Sequence, residues 1–157
     1  MIQRIQSLYL LLVVLICGML FLFPIAEYTK DASIYVFDVL GIKNITDKSN
    51  PIEIISTLPV LLILIVVMLT ELISIFLFKN RKLQIRICSL NILLLTALLA
   101  TIFWYSDKAE TAIGQEGAIT SFSIGAVVPI VALMFTFLAI RSIKKDEELV
   151  RSADRIR

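Results

Sequence analysis

Four long apolar stretches separated by short polar segments dominate the chain. They cover about 5–26, 51–78, 83–105 and 119–140. Each is long enough to cross a hydrocarbon core of about 30 Å as an α-helix. The stretches are apolar on every face, whereas the strands of a membrane barrel alternate over about ten residues. The pattern therefore predicts an all-α membrane protein, with 1–157 forming one domain built as a four-transmembrane-helix bundle.

Local signals suggest where the second and fourth spans begin and bend. Asn50 precedes Pro51 and Glu53, an arrangement typical of a helix N-cap, a first helical residue and a capping carboxylate. We therefore expect the second helix to start at this point. Pro59 and Pro129 fall inside the predicted spans and are expected to kink them.

The polar segments predict two modest external loops, at about 27–50 and 106–118. The first loop contains β-branched and aromatic residues around Gly41, which favour a short strand or hairpin lying on the bundle. The second contains Gly114 and Gly117 and is expected to be irregular. Neither loop is large enough to form a separate domain.

The C-terminal tail, 141–157, is predicted to continue the fourth helix into water, as a cytoplasmic helical extension. It lacks glycine and proline, and it pairs Lys144 with Glu148 and Glu147 with Arg151 at i, i+4 spacing. Several apolar residues share one face: Ile143, Val150, Ala153 and Ile156. Two interpretations stay open at this point. The helix either rests on lipid headgroups or docks onto a protein partner.

Composition excludes a soluble or disordered chain and weakens catalytic hypotheses. Hydrophobic residues make up 59%, charged residues 18%, and histidine is absent. No nucleotide-binding glycine loop occurs, and Cys17 and Cys88 lie inside predicted spans without a C-x-x-C motif. We expect both cysteines to be packing residues, and we expect no metal, no cofactor and no enzymatic activity. Acids accompany the bases of the tail, so nucleic acid is not an expected partner.

Basic residues are distributed unevenly between the two sides. Eleven of the fifteen Lys and Arg residues fall before span one, at the turn between spans two and three, or after span four, counting Arg86 at the start of span three with the turn. Positive residues are retained in the cytoplasm, so both termini are expected there. The candidate docking residues on this side are Arg4, Lys79, Arg81, Lys82, Lys144, Lys145, Val150, Arg151 and Ile156.

Glu71 is the only acid deep inside a predicted span, and it defines a candidate intramembrane polar site. The short turn near residues 80–81 places it at the depth of Asn91, with Ser74 and the long side chain of Arg86 nearby. The site is either a proton- or cation-coupled carboxylate or a structural bond between helices. We favour the structural interpretation, because spans one and four offer little polarity at that depth beyond Thr136.

Three segments carry a resemblance to a known family. They are MIQRIQ at 1–6, FKNRKLQIR at 78–86 together with Asn91, and LAIRSIKKDEELVRSADRIR at the end. The chain resembles a family of small four-span inner-membrane proteins of Bacteroidota that forms a domain of unknown function. The resemblance implies a bacterial inner-membrane location and supplies no activity. All three segments fall on the predicted cytoplasmic side.

These observations favour a non-enzymatic accessory or scaffold subunit of a larger membrane complex. Its partners would be membrane lipids and a protein docked on the cytoplasmic face, and a homo-oligomer is compatible with the sequence. The alternative is a small oligomeric transporter or ion-conducting subunit that uses Glu71.

Overall fold

The computed structural model describes residues 3–30, 33–46, 52–78, 80–113 and 119–155. Four helices dominate it, and a short 3-10 turn, Met19–Phe21, follows the first. The helices are α1 (Gln3–Gly18), α2 (Leu58–Phe76), α3 (Arg81–Ile113) and α4 (Ile124–Arg155). The strands are β1 (Ala26–Lys30), β2 (Ser33–Phe37), β3 (Gly41–Asn44), β4 (Ile52–Ser56) and β5 (Ile119–Phe122).

The four helices pack side by side as a bundle. Helices α1 and α3 each contact both α2 and α4. Within the described residues, three helical segments are long and apolar enough to cross a membrane: Leu58–Phe76, Arg81–Ile113 and Ile124–Val150. The apolar segment Ile5–Phe21 is shorter than these three. The predicted helical bundle is therefore present, and α2, α3 and α4 each contain an apolar segment of membrane-spanning length. The apolar segment of α1 is too short to meet the same length criterion.

A five-stranded antiparallel sheet covers one end of the bundle, which we call the sheet end. Its strand order is β4-β3-β2-β1-β5. Strands β1 to β4 follow one another along the chain, and β5 joins from the segment between α3 and α4. The turn from β2 to β3 is fixed by Asp38, whose Oδ1 accepts hydrogen bonds from the backbone N–H groups of Leu40 and Gly41, each at 3.0 Å.

The sheet and the helices share one hydrophobic core. Buried side chains of the sheet, including Tyr28 and Phe37, belong to the same cluster as Leu64 and Leu98 of the helices. The hydroxyl of Tyr28 lies 2.9 Å from Ser106 Oγ on α3. Burial raises the pKa of the Tyr28 hydroxyl above its usual value. The sheet is therefore packed into the bundle and is not a loop resting on its surface.

We call the opposite end the basic end. It comprises the end of α2, the first turn of α3 and the part of α4 from Arg141 onward. Because α3 has 33 residues and α4 has 32, each is about 50 Å long. Helix α3 extends past the apolar part of the bundle at the sheet end, and α4 extends past it at the basic end.

The structure corrects the predicted start of the second helix. Residues Ile52–Ser56, which include Glu53, form strand β4, so the expectation that the second helix starts here is wrong. The proposed N-cap, Asn50, lies outside the described residues. This segment is rich in isoleucine, and its pairing with β3 outweighs the capping pattern. Helix α2 begins at Leu58, so Pro59 lies in its first turn and does not kink the middle of a span.

Other boundaries shift for the same reason, which is strand pairing at the sheet end. The fourth helix was expected from 119, but Ile119–Phe122 pairs with β1 and α4 begins at Ile124. The second loop was expected to be irregular from 106, but α3 continues to Ile113. The prediction of a strand or hairpin in the first loop is confirmed, and so is the helical continuation of the fourth span, which reaches Arg155.

Gly125 is required where α4 meets the chain entering β1. Its N–H donates to Pro24 O at 3.0 Å, and a Cβ at this position would stand 2.5 Å from the same oxygen. The neighbouring atoms are backbone, so relief requires a shift of α4 or of β1.

We expect Gly125→Ala to lower the free energy of unfolding by about 1–3 kcal/mol, because it overpacks this contact. Thermal unfolding of purified protein in detergent measures the change. Gly18→Ala is the matched control, since no atom lies within 4 Å of a Cβ built at Gly18. Equal stability of the two variants would contradict the close approach.

Candidate functional site

Glu71 of α2 lies at the centre of the bundle and is completely buried. It is positioned by an α2 face that buries Val60, Leu64 and Val67 on preceding turns. A carboxyl group in such a position needs partners from neighbouring helices, since water does not reach it.

Thr136 of α4 supplies the first partner. Its Oγ1 donates to Glu71 Oε1 at 3.2 Å and also lies 2.9 Å from Ala132 O, one turn earlier in α4. A hydroxyl has one proton, so the carboxyl and the backbone carbonyl share it. Thr136 thus connects α2 to α4 while keeping the local bond that threonine commonly makes within a helix.

Asn91 of α3 supplies the second contact, and it too is fully buried. Its amide lies close enough to the Glu71 carboxyl to interact with it, and its Oδ1 accepts a hydrogen bond from Thr70 Oγ1 of α2. Within the described part of the chain, Glu71 Oε2 and Asn91 Nδ2 make no hydrogen bond. The Glu71 carboxyl and the Asn91 amide are therefore neighbours without a well-formed hydrogen bond between them.

A second polar layer lies one turn closer to the basic end. Ser74 Oγ is 3.3 Å from Cys88 Sγ, and Gln84 Nε2 donates to Ser74 O at 3.1 Å. Cys17 of α1 and Cys88 of α3 are both buried within electrostatic range of Glu71. Each of the four helices thus contributes at least one polar or sulfur-containing side chain to the interior around Glu71.

The structure brings together two of the four predicted site residues. Glu71 and Asn91 are adjacent, whereas Ser74 is bonded to Cys88 and not to the carboxyl. Arg86 is exposed on α3 and takes no part in the site. The expectation that its long side chain reaches toward Glu71 is wrong, because position 86 lies on the outward face of α3.

A separate polar contact joins three helices at the basic end. Gln6 of α1 donates through Nε2 to Asp146 Oδ2 of α4, and both side chains are buried. Arg81, the first residue of α3, donates to Asp146 O at 3.0 Å. This group, which we call the Asp146 joint, fixes the point at which α4 leaves the bundle. No feature of the sequence indicated it, because Gln6 and Asp146 are 140 residues apart.

The candidate docking residues divide into exposed and internal ones. Lys82, Lys144, Lys145 and Val150 are exposed at the basic end, while Arg81 is partly buried in the Asp146 joint. Arg4 and Arg151 occupy positions in α1 and α4. Lys79 and Ile156 lie outside the described residues.

The chemistry available at these positions is that of hydrogen bonding and charge. Among the residues that the structure describes, no three Cys, Asp or Glu side chains are grouped so as to hold a metal ion. In the described part of the chain, the interior site consists of one carboxyl group, amides, hydroxyls and thiols, and the buried residues include no lysine or arginine.

Comparison with known families supports one part of the resemblance, namely that the chain belongs to a family of unknown function. Residues 2–156 match the family described as Domain of unknown function (DUF4293). The chain belongs to this family. The match extends from the start of α1 to the end of α4, so the sheet and the helices together make up the DUF4293 domain. No curated protein matches the chain.

We expect Thr136→Val to lower the free energy of unfolding by about 0.5–2 kcal/mol, because Glu71 Oε1 loses its donor while the side-chain volume is kept. Thermal unfolding in detergent is the measurement. Thr96→Val is the control, since the Thr96 hydroxyl donates to Ile92 O of its own helix and, among the described residues, makes no bond to another helix. An equal loss in both variants would mean that the bond to Glu71 contributes nothing.

Proposed function

We propose that the protein is an integral membrane protein with four spans, α1 being the fourth. The main support is the outward face of α1, where apolar side chains recur at helical spacing: Ile5, Leu8, Leu11 and Leu15. A helix lying against water would carry polar residues there. At 1.5 Å per residue, Ile5–Phe21 is about 25 Å long, a mismatch that a bilayer absorbs by local thinning.

The charge distribution supports one orientation in a bacterial inner membrane. The basic end would face the cytoplasm, because short loops rich in Lys and Arg are retained there. The sheet end would face outward. Aromatic side chains at this end suit a membrane interface: Phe103 and Phe122 are in edge contact, and Lys108 lies over the Trp104 ring.

Cysteine labelling tests this topology at three side chains of similar exposure. Leu40, Leu15 and Leu149 are 56%, 58% and 49% exposed. With a membrane-impermeant maleimide, we expect Leu40→Cys to react in spheroplasts, whose inner membrane is intact. Leu149→Cys should react only after the inner membrane is permeabilised. Leu15→Cys should stay unreacted in both, because lipid covers it.

The native Cys17 and Cys88 are buried and give a low background. Rapid labelling of Leu15→Cys in intact membranes would refute a membrane-spanning α1, whatever the result at the other two positions.

We further propose that the protein is a non-enzymatic accessory or scaffold subunit that docks onto a larger membrane assembly through its basic end. The observation that carries this proposal is the unbroken course of α4 to Arg155. The Asp146 joint holds its exit from the bundle, so the segment beyond it projects in a defined direction. Leu149 and Val150 are exposed on that projecting segment, where a partner's apolar surface would cover them.

The transport hypothesis for Glu71 receives less support. The carboxyl is sealed inside the bundle, and its neighbours Thr136 and Asn91 come from different helices. Glu71 lines neither the surface groove along α4 at the basic end nor the surface groove between α3 and α4. These contacts favour a structural role for Glu71, in which it holds α2 against α3 and α4, over a role on an ion pathway.

Replacement of the exposed tail residues tests the docking proposal. We expect the wild-type chain, extracted from its native membrane in mild detergent, to migrate with a stoichiometric partner on a native gel. The double variant Leu149→Ser/Val150→Ser should migrate alone, because it removes the apolar contact without touching the bundle. Mass spectrometry of the shifted band identifies the partner.

Leu40→Ser is the control, since Leu40 is similarly exposed at the sheet end and should leave the complex intact. A wild-type chain that migrates as a monomer, without any stoichiometric partner, would overturn the proposal.

A further inference from the structure

A groove of about 610 Å³ runs along α4 at the basic end. The bases Arg141, Lys144 and Lys145 line it, together with Phe137, Ile140 and Glu148. The lining of the groove therefore carries three positive side chains and one carboxylate. Because Glu148 lies at the far end of the groove, one turn beyond Lys144, the positive charge is concentrated toward the bundle.

A second groove of about 310 Å³ lies between α3 and α4 and is apolar. Its lining is Ile92, Leu133, Met134 and Phe137. Phe137 lines both grooves, so the charged groove and the apolar groove adjoin at this side chain. Both follow the same side of α4, and Met134 and Phe137 are well exposed there.

The order of these features along α4 matches the layers of a bilayer leaflet. From Phe137 to Lys144 the helix rises about 10 Å. The apolar groove lies toward the middle of the bundle, since Phe137 adjoins Thr136, the partner of Glu71. The three bases lie beyond it, where the α4 sequence changes from apolar to charged.

We propose that the two grooves together bind one anionic phospholipid of the cytoplasmic leaflet. Its phosphodiester group lies among Arg141, Lys144 and Lys145, and one acyl chain lies along Phe137, Met134 and Ile92. Arginine forms paired hydrogen bonds with phosphate oxygens, and lysine supplies a mobile point charge on an apolar stem. The inference rests on α4 crossing the membrane as proposed above, but not on the docking of the tail.

The apolar groove distinguishes a lipid from other anionic ligands. A free phosphate ion would occupy the basic groove and leave the surface from Leu133 to Phe137 bare. An acidic protein segment at the cytoplasmic face would likewise not reach that surface. A phospholipid has a charged headgroup joined to apolar acyl chains, and the two grooves along α4 follow the same order, basic beside apolar.

Native mass spectrometry of the detergent-solubilised protein tests the proposal, with phosphatidylglycerol and phosphatidylcholine of identical acyl chains as probes. We expect one phosphatidylglycerol molecule to bind at least about tenfold more tightly than phosphatidylcholine, because a Lys or Arg near a lipid surface contributes about fivefold. The triple variant Arg141→Ala/Lys144→Ala/Lys145→Ala should lose this preference. Phe137→Ser should weaken the binding of both lipids.

The control is Lys82→Ala/Arg86→Ala, which removes two exposed bases at the same end but outside the groove. It should keep the preference. Equal losses in control and triple variant would show general charge attraction and overturn the proposal, as would a preference that survives in the triple variant. Displacement of the lipid by inorganic phosphate at equal concentration would show a simple anion site and overturn it too.

Thermal unfolding identifies variants that fail to fold. If Leu15→Cys is protected while phosphatidylglycerol shows no preference, the lipid site fails and the four-span proposal stands.

Discussion

The arrangement of the whole bundle depends on the backbone pairing of strand β1. This strand follows α1 and the short 3-10 turn, pairs with β2 on one edge and with β5 on the other, and so connects the two segments at the sheet end. Tyr28, in its middle, is buried in the core shared with the helices and contacts Ser106 of α3. Because α1 precedes β1, and β5 lies between α3 and α4, the pairing of β1 sets the relative levels at which α1 and α3 end and α4 begins. The helices are therefore aligned by backbone pairing at one end.

At the other end, alignment depends on side chains. The Asp146 joint uses a buried amide–carboxylate contact and one arginine bond to a backbone carbonyl. Between the two ends, Glu71 adds a polar contact among α2, α3 and α4. In a lipid environment apolar side chains gain little by packing against one another, so such polar contacts and close fits determine which helix faces which. The three levels of contact explain how a largely aliphatic interior adopts one arrangement.

Part of the interior site was predictable, for a geometric reason. Glu71 and Asn91 lie on helices joined by a short turn, so equal steps from that turn place them at one depth. The exclusion of Arg86 from the site was not predictable, because depth alone does not tell which way a side chain points around the helix axis. The same applies to Gln84 and Cys88, which face inward on α3. Thr136 had the right depth, but its contact with Glu71 requires the rotation of α4 to be known.

The sequence by itself determined the apolar character of the helices and the concentration of basic residues at one end. It also determined that one acid, Glu71, lies deep inside a helix and that the C-terminal tail is helical. These properties follow from local composition and spacing, which need no knowledge of distant residues. Only the tertiary structure decided where the helices begin at the sheet end. The isoleucine-rich segment at 52–56 and the segment at 119–122 suit either a helix or a strand, and pairing with β3 and β1 selected the strand. The tertiary structure also decided the rotation of each helix, because side chains 65 residues apart, such as Glu71 and Thr136, meet only once the helices have packed.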